Sequence, residues 1–176
     1  MSFDIAVENV VVTARFDHGF DLAALAATLP QAQPVKKFPA LAYKLNRPRV
    51  TLLVFSSGKI VCTGARSEEE AFNVINDFVE DMKQKGFAFS SPSIAVENVV
   101  VSSTLNLTNI NIKTAMKNGT VYEPEGFPGI ICRINGVKPS FLVFSTGKVV
   151  CIGARSLAEA SEAIAALEKR LLTPCS

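Results

Sequence analysis

The chain is written twice. Residues 5–12 read IAVENVVV, and residues 94–101 read IAVENVVV again. The step from Ile5 to Ile94 is 89 positions, and it also carries Phe38 to Phe127, Pro39 to Pro128 and Phe55 to Phe144. Gly58-Lys59 recurs as Gly147-Lys148, and Gly64-Ala65-Arg66-Ser67 as Gly153-Ala154-Arg155-Ser156, with no gap needed. In a chain of 176 residues this leaves room for two copies of one unit, residues 1–88 and 89–176. Two copies predict a pseudo-two-fold molecule. A solenoid is disfavoured, because stacked repeats normally need three or more short units to bury a continuous core.

Each copy reads as strand, short helix, about four strands, long helix. IAVENVVVTA is β-branched and partly alternating, the pattern of a strand. Asp21 is placed to cap a short helix carrying Leu22, Leu25 and Leu29 on one face, stopped by Pro30. The strand-like runs LAYKL, VTLLVF and KIVCTG follow, with Ser56-Ser57-Gly58 as a tight hairpin between the last two. Ser67 and Glu70 have the spacing of a capping box. The helix after them carries Ala71, Phe72, Ile75, Phe78, Val79 and Met82 at helical spacing, and Gly86 suits its end. In the second copy Ser156 and Glu159 precede Ala160, Ile164, Leu167 and Leu171. Hairpin-type connections imply an antiparallel sheet with the long helices on one face, an α+β fold.

Composition excludes several classes. With 48% hydrophobic and 19% charged residues the chain has enough apolar surface to fold. The net charge of +2 is too mild to argue for nucleic acid alone, since a phosphate-binding face can hide inside a nearly neutral total. No basic-then-apolar secretory leader is visible, and no apolar run is long enough to span a bilayer, so a soluble intracellular protein is expected. Cys62, Cys132, Cys151 and Cys175 lack CxxC spacing, and His18 is the single histidine. They read as reduced, packed thiols rather than a zinc site, and no metal or other cofactor is expected.

If the helices cover one sheet face, the other must be accounted for. Strand alternation places Asn9, Val11, Leu53, Phe55, Lys59, Val61 and Thr63 on one parity. Their equivalents are Asn98, Val100, Leu142, Phe144, Lys148, Val150 and Ile152. Such a set either forms a core between two sheets or marks a binding surface. The two Phe-Pro pairs favour the second, because proline confines each Phe to a strand start or edge.

At these residues the sequence resembles a known family. FPALAYKLNRPRVTLLVFSSGKIVCTGARSEEEA (38–71) is similar to the first-repeat signature of TATA-box-binding proteins; YEPEGFPGIICRI (122–134) and LVFSTGKVVCIGARS (142–156) are similar to the second. The resemblance covers essentially the whole chain. It implies a saddle with a curved antiparallel sheet, whose concave face takes DNA and whose convex face carries the helices. It implies a general transcription initiation factor that binds TATA-box promoter DNA in the minor groove and recruits transcription factor B and RNA polymerase. Phe38 with Phe55, and Phe127 with Phe144, match the pairs that wedge into base steps; the kink comes from the resemblance, not from composition or spacing. Asn9, Val11, Leu53, Val61, Thr63, Asn98, Val100, Leu142, Val150 and Ile152 match minor-groove contacts. Lys44, Arg49, Lys59, Arg133, Lys138 and Lys148 match phosphate contacts. Glu123 and Glu125, in YEPE, match the loop that binds transcription factor B.

The sequence departs from the family in two places. Ile152 stands where the pattern has a threonine like Thr63, and INGVKPSF puts Lys138 at an arginine position while the proline moves to Pro139. The compact form without a low-complexity tail looks archaeal, which implies a cytoplasmic, nucleoid-associated protein; a eukaryotic core fragment would be nuclear. Two other classes fit the sequence less well. A domain using the open face as an apolar ligand or regulator pocket predicts affinity without salt dependence, whereas DNA binding predicts affinity that falls with salt. An enzyme is the weakest reading, with one histidine and no phosphate-loop pattern.

Overall fold

A computed structural model of the chain describes residues 4–116, 119–126 and 129–172. In chain order the elements are β1 (Ala6–Arg15), α1 (Leu22–Thr28), β2 (Gln33–Pro34), β3 (Ala40–Lys44), β4 (Thr51–Phe55), β5 (Lys59–Ala65) and α2 (Glu68–Gln84). The second copy follows with β6 (Ser93–Thr104), α3 (Ile112–Ala115), β7 (Gly119–Tyr122), β8 (Gly129–Ile134), β9 (Ser140–Phe144), β10 (Lys148–Ala154) and α4 (Leu157–Leu172). Each half is therefore strand, short helix, four strands, long helix, as the sequence predicts. Two compact units result: Asn9–Glu97, and residues from Asn98 onward together with those up to Glu8.

In the first unit the strands pair antiparallel in the order β2-β3-β4-β5-β1. Local chemistry sets the helix ends. Asp21 Oδ1 accepts from Ala24 N at 3.1 Å, satisfying an orphan donor of α1. Ser67 Oγ accepts from Glu70 N at 3.0 Å, while the Glu70 carboxylate accepts from Arg66 N, one residue before the cap. At the other end Gly86, at φ +97°, lets Phe87 N reach Met82 O and Gly86 N reach Lys83 O, a Schellman closure. The buried stripe of α2 is Ala71, Val74, Ile75, Phe78, Val79 and Met82. Val74 thus replaces Phe72, which is half-buried: at 100° per residue position 72 turns off the stripe that Ala71 begins. Phe16, His18, Phe20 and Phe89 form a mutual aromatic cluster with centroids 5.3–6.1 Å apart. Ser90 N donates to His18 Nε2 at 3.3 Å, tying the segment after α2 to that cluster.

In the second unit the order is β7-β8-β9-β10-β6, again antiparallel. Ser156 Oγ accepts from Glu159 N, and the Glu159 carboxylate from Arg155 N, repeating the first copy's cap. Ala160, Ala163, Ile164, Leu167 and Leu171 bury one face of α4. Ser102 Oγ donates to Glu8 Oε1 at 2.6 Å, and Ser103 Oγ donates to Asp4 O at 2.9 Å.

The cores contain Cys62, Cys132 and Cys151 as free, fully buried thiols; Cys175 lies outside the described residues. Burial pushes each thiol up to about 11, and for Cys62 and Cys151 the nearby Glu70 and Glu159 carboxylates add to the rise. The thiols stay protonated and behave as small apolar groups. Among the described residues no helix is long and apolar enough to cross a membrane.

Candidate nucleic-acid interface

Burial alternates along β4, β9 and most of β5 and β10, while β1 and β6 each bury three consecutive residues near their ends, Val12, Thr13 and Ala14 and Val101, Ser102 and Ser103. In the first unit Val10, Val12, Leu52, Val54, Ile60 and Cys62 are buried on the helix side. The residues between them, Asn9, Val11, Leu53, Phe55, Val61 and Thr63, are half-buried and lie under no helix. Register aligns the open side: Leu53 pairs with Val61, Thr51 with Thr63 and Ala42 with Leu53. In the second unit Val99, Val101, Phe141, Val143, Val149 and Cys151 are buried. Asn98, Val100, Leu142, Phe144 and Val150 are half-buried, and Ile152 is 36% exposed. There Leu142 pairs with Val150, Ile131 with Leu142 and Ser140 with Ile152. Every described groove residue expected from the sequence thus falls on the open parity, and Ala42, Ile131, Thr51 and Ser140 join them.

Of the phenylalanines expected as wedges, the described ones lie at or beside strand ends. Phe38 precedes β3 and is 42% exposed; Phe55 closes β4. Their rings are stacked, with centroids 5.4 Å apart and planes 18° apart. Lys59 Nζ lies 4.6 Å from the Phe55 ring centroid, a cation–π contact on the less exposed ring of the pair. Phe144 ends β9 in the equivalent place, whereas Phe127 and Pro128 lie outside the described residues. The hairpin glycines hold Phe55 and Phe144 at these tips. Gly58 N donates to Phe55 O at 3.1 Å, and Gly147 N to Phe144 O at 2.9 Å.

Two asparagine side chains are fixed by a device absent from the sequence reading. The register of β1 with β5 slips between Val10 and Val12, and that of β10 with β6 between Cys151 and Ala154. At each slip sits a left-handed glycine, Gly64 at φ +99° and Gly153 at φ +104°. The freed N–H of Gly64 donates to Asn9 Oδ1 at 2.7 Å, and that of Gly153 to Asn98 Oδ1 at 2.8 Å. A glycine repeated within a strand pattern is the signal that marks such a bulge.

The basic residues flank the open face. Lys44, Arg49, Arg133, Lys138 and Lys148 are exposed and Lys59 is half-buried. Among the described residues none of the six is in an ion pair. Pro139 is buried, with its Cα 3.6 Å from where a Cβ on Gly153 would lie, much as Val50 Cα lies 3.5 Å from such a Cβ on Gly64. Lys138 precedes Pro139 as Arg49 precedes Val50, but the Arg49 carbonyl oxygen lies 3.0 Å from a Cβ on Gly64 while only Pro139 comes within 4 Å of one on Gly153. Glu123 and Glu125 are exposed in the loop after β7.

With this geometry the comparisons with known proteins become decisive. The family described as "Transcription factor TFIID (or TATA-binding protein, TBP)" matches residues 4–85 and again 93–173. The chain belongs to the TATA-box-binding protein family. Among its relatives, the TATA-box-binding protein of Methanocaldococcus jannaschii is 37% identical over 167 residues, covering 93% of this chain and 91% of the relative. That of Methanothrix thermoacetophila is 37% identical over 178 residues, covering 97% of each. The solved structure of Methanococcus jannaschii TBP matches with a TM-score of 0.83 at 34% identity, covering 96% of this chain and 98% of that one. The fold is therefore the α+β fold of the TATA-box-binding proteins, archaeal in type, and the family is one of transcription initiation factors rather than enzymes.

Proposed function

We propose that the open sheet faces bind the minor groove of A·T-rich TATA promoter DNA, one unit to each half of the site. Phe38 with Phe55, and Phe127 with Phe144, wedge into a base step at either end. Asn9, Thr63 and Asn98 present donors to adenine N3 and thymine O2. Val11, Leu53, Val61, Val100, Leu142, Val150 and Ile152 press on the groove floor, where a guanine amino group would be crowded. Lys44, Arg49, Lys59, Arg133, Lys138 and Lys148 neutralise phosphates. Glu123 and Glu125 take transcription factor B, which brings RNA polymerase. The observation that supports this reading best is the parity of the sheet: large apolar side chains and two fixed amides stand half-exposed on one face while their strand neighbours are buried. One cavity of about 520 Å³ is lined by Leu107, Ile110, Ile112 and Glu123 together with Gly129, Ile130, Val143 and Phe144 of β8 and β9, so it sits at one end of the second sheet and includes none of the half-buried residues at its centre.

The test is a mobility shift on A·T-rich and G·C-rich duplexes carrying fluorophores at both ends. The expected result is A·T preference, a bend read as energy transfer, and affinity that falls steeply with salt. Equal binding of the two duplexes without a bend would sink the reading. Adding archaeal transcription factor B should supershift the parent complex, and the double variant Glu123→Lys, Glu125→Lys should lose the supershift while still binding DNA.

A further inference from the structure

We infer that the two units are unequal readers of the groove, and that Ile152 makes the second unit the stricter one against guanine, which fixes which way round the protein sits on an asymmetric site. This rests on the DNA-binding reading above. The starting point is the bulge glycines. Because Gly64 N and Gly153 N each donate to an asparagine Oδ1, both amide oxygens are held by the protein backbone and Nδ2 is left as the donor end. Each asparagine therefore offers donors, and the A·T minor groove offers acceptors.

Beyond the asparagines the units differ. In the first, Asn9 Nδ2 also donates to Thr63 Oγ1 at 3.2 Å. That hydroxyl retains an unused lone pair and its own O–H. It can donate to adenine N3 or thymine O2, and it can accept from the guanine 2-amino group. In the second unit the equivalent side chain is Ile152, which can do neither. A guanine amino group pressed against Ile152 loses its water and gains no acceptor, which is the costly case for a buried donor. Ser140, paired opposite Ile152 in β9, does not restore the symmetry. It is the counterpart of Thr51, which faces Thr63 in the first unit, and it lies a strand further from Asn98.

One G·C pair placed beneath the second unit's Ile152 should weaken binding roughly tenfold more than the same pair beneath Thr63. A free molecule will then turn around, setting its first unit over the half that contains the G·C pair. Orientation is read by attaching an iron chelate to Ala165→Cys, an exposed position on α4, in a Cys175→Ser background, and mapping strand cleavage on a duplex with one G·C pair in one half. The parent should cleave from one end with a bias of roughly ten to one. Ile152→Thr should bring the two orientations near equality, and the exchange Thr63→Ile with Ile152→Thr should reverse the bias. Ile152→Val should keep it, because valine has nearly the shape of threonine without its hydroxyl. An unbiased parent, an unchanged bias in Ile152→Thr or in the exchange, or loss of bias in Ile152→Val would each overturn the inference. Failure of the parent to bind a pure A·T duplex would instead overturn the DNA-binding reading, and this inference with it.

Discussion

Phe55→Ala and Phe144→Ala are each expected to leave the protein associating with A·T-rich DNA while most of the bend is lost. On the proposed function, the reason lies in how the stacked pair is built. Phe38 and Phe55 stack at 5.4 Å with nearly parallel planes, so the pair acts as one thick slab, and Lys59 caps the Phe55 ring. Removing Phe55 thins the slab and takes away the ring on which Phe38, already 42% exposed, is stacked. Unstacking a base step costs a few kcal/mol, which the wedge must offset. Losing about 2 kcal/mol of that compensation lowers the bent population by roughly 30-fold. On the proposed function, initial association depends on the six basic residues and should change little. Stability should also change little, since Phe55 and Phe144 are half-exposed. End-to-end energy transfer on a labelled duplex reads the bend, and salt titration reads the electrostatic part. Two variants that bend DNA as the parent does would mean the rings are not wedges.

The second large effect is expected at the hairpin glycines. Gly58 adopts φ +96°, and a Cβ built there would fall 2.1 Å from His18 O and 3.2 Å from Phe16 O. Gly147, at φ +89°, would place its Cβ 2.1 Å from Leu105 O. These neighbours are backbone, and they cannot swing aside without breaking the bonds from Phe16 N to Gly58 O and from Leu105 N to Gly147 O. Gly58→Ala and Gly147→Ala should each cost roughly 2–4 kcal/mol, combining left-handed strain with a displaced carbonyl. Gly136→Ala separates the two causes: φ there is +84° and nothing lies within 4 Å of the added Cβ, so about 1 kcal/mol is expected. Urea unfolding of the three variants gives the comparison. Equal midpoints would show that the carbonyl contacts are irrelevant. A hairpin variant that stays folded should also bend DNA less, because Gly58 and Gly147 anchor the ends of β4 and β9 where Phe55 and Phe144 sit.

What could be read in the sequence was local or periodic. Asp21, Ser67 and Ser156 cap helices because their partners are three residues away, and Gly86 closes α2 by its own φ. The open face could be read because a period of two leaves no choice once Leu52, Val54 and Ile60 are assigned to the core. Other features depend on contacts distant in sequence. The amide locks join Asn9 to Gly64 and Asn98 to Gly153, 55 positions apart, through a register slip that no strand pattern announces. The Phe72 and Val74 exchange shows the opposite limit: bulk suggested the larger side chain, and helical angle chose the smaller one. The wedge role proposed for the phenylalanine pairs rests on resemblance and the 89-residue step, since alternation alone is equally consistent with an ordinary core.

The aromatic cluster of Phe16, His18, Phe20 and Phe89 has a consequence for how the molecule can be dissected. The residues that would answer its first three members are Leu105, Leu107 and Asn109, none of them aromatic. The first unit therefore completes itself with a segment that a ruler laid on the duplication would assign to its sibling. A fragment cut at residue 88 loses Phe89 and the Ser90 bond to His18, while one cut after the connecting segment keeps both. The natural seam of this molecule lies several residues beyond the arithmetic midpoint of its repeat.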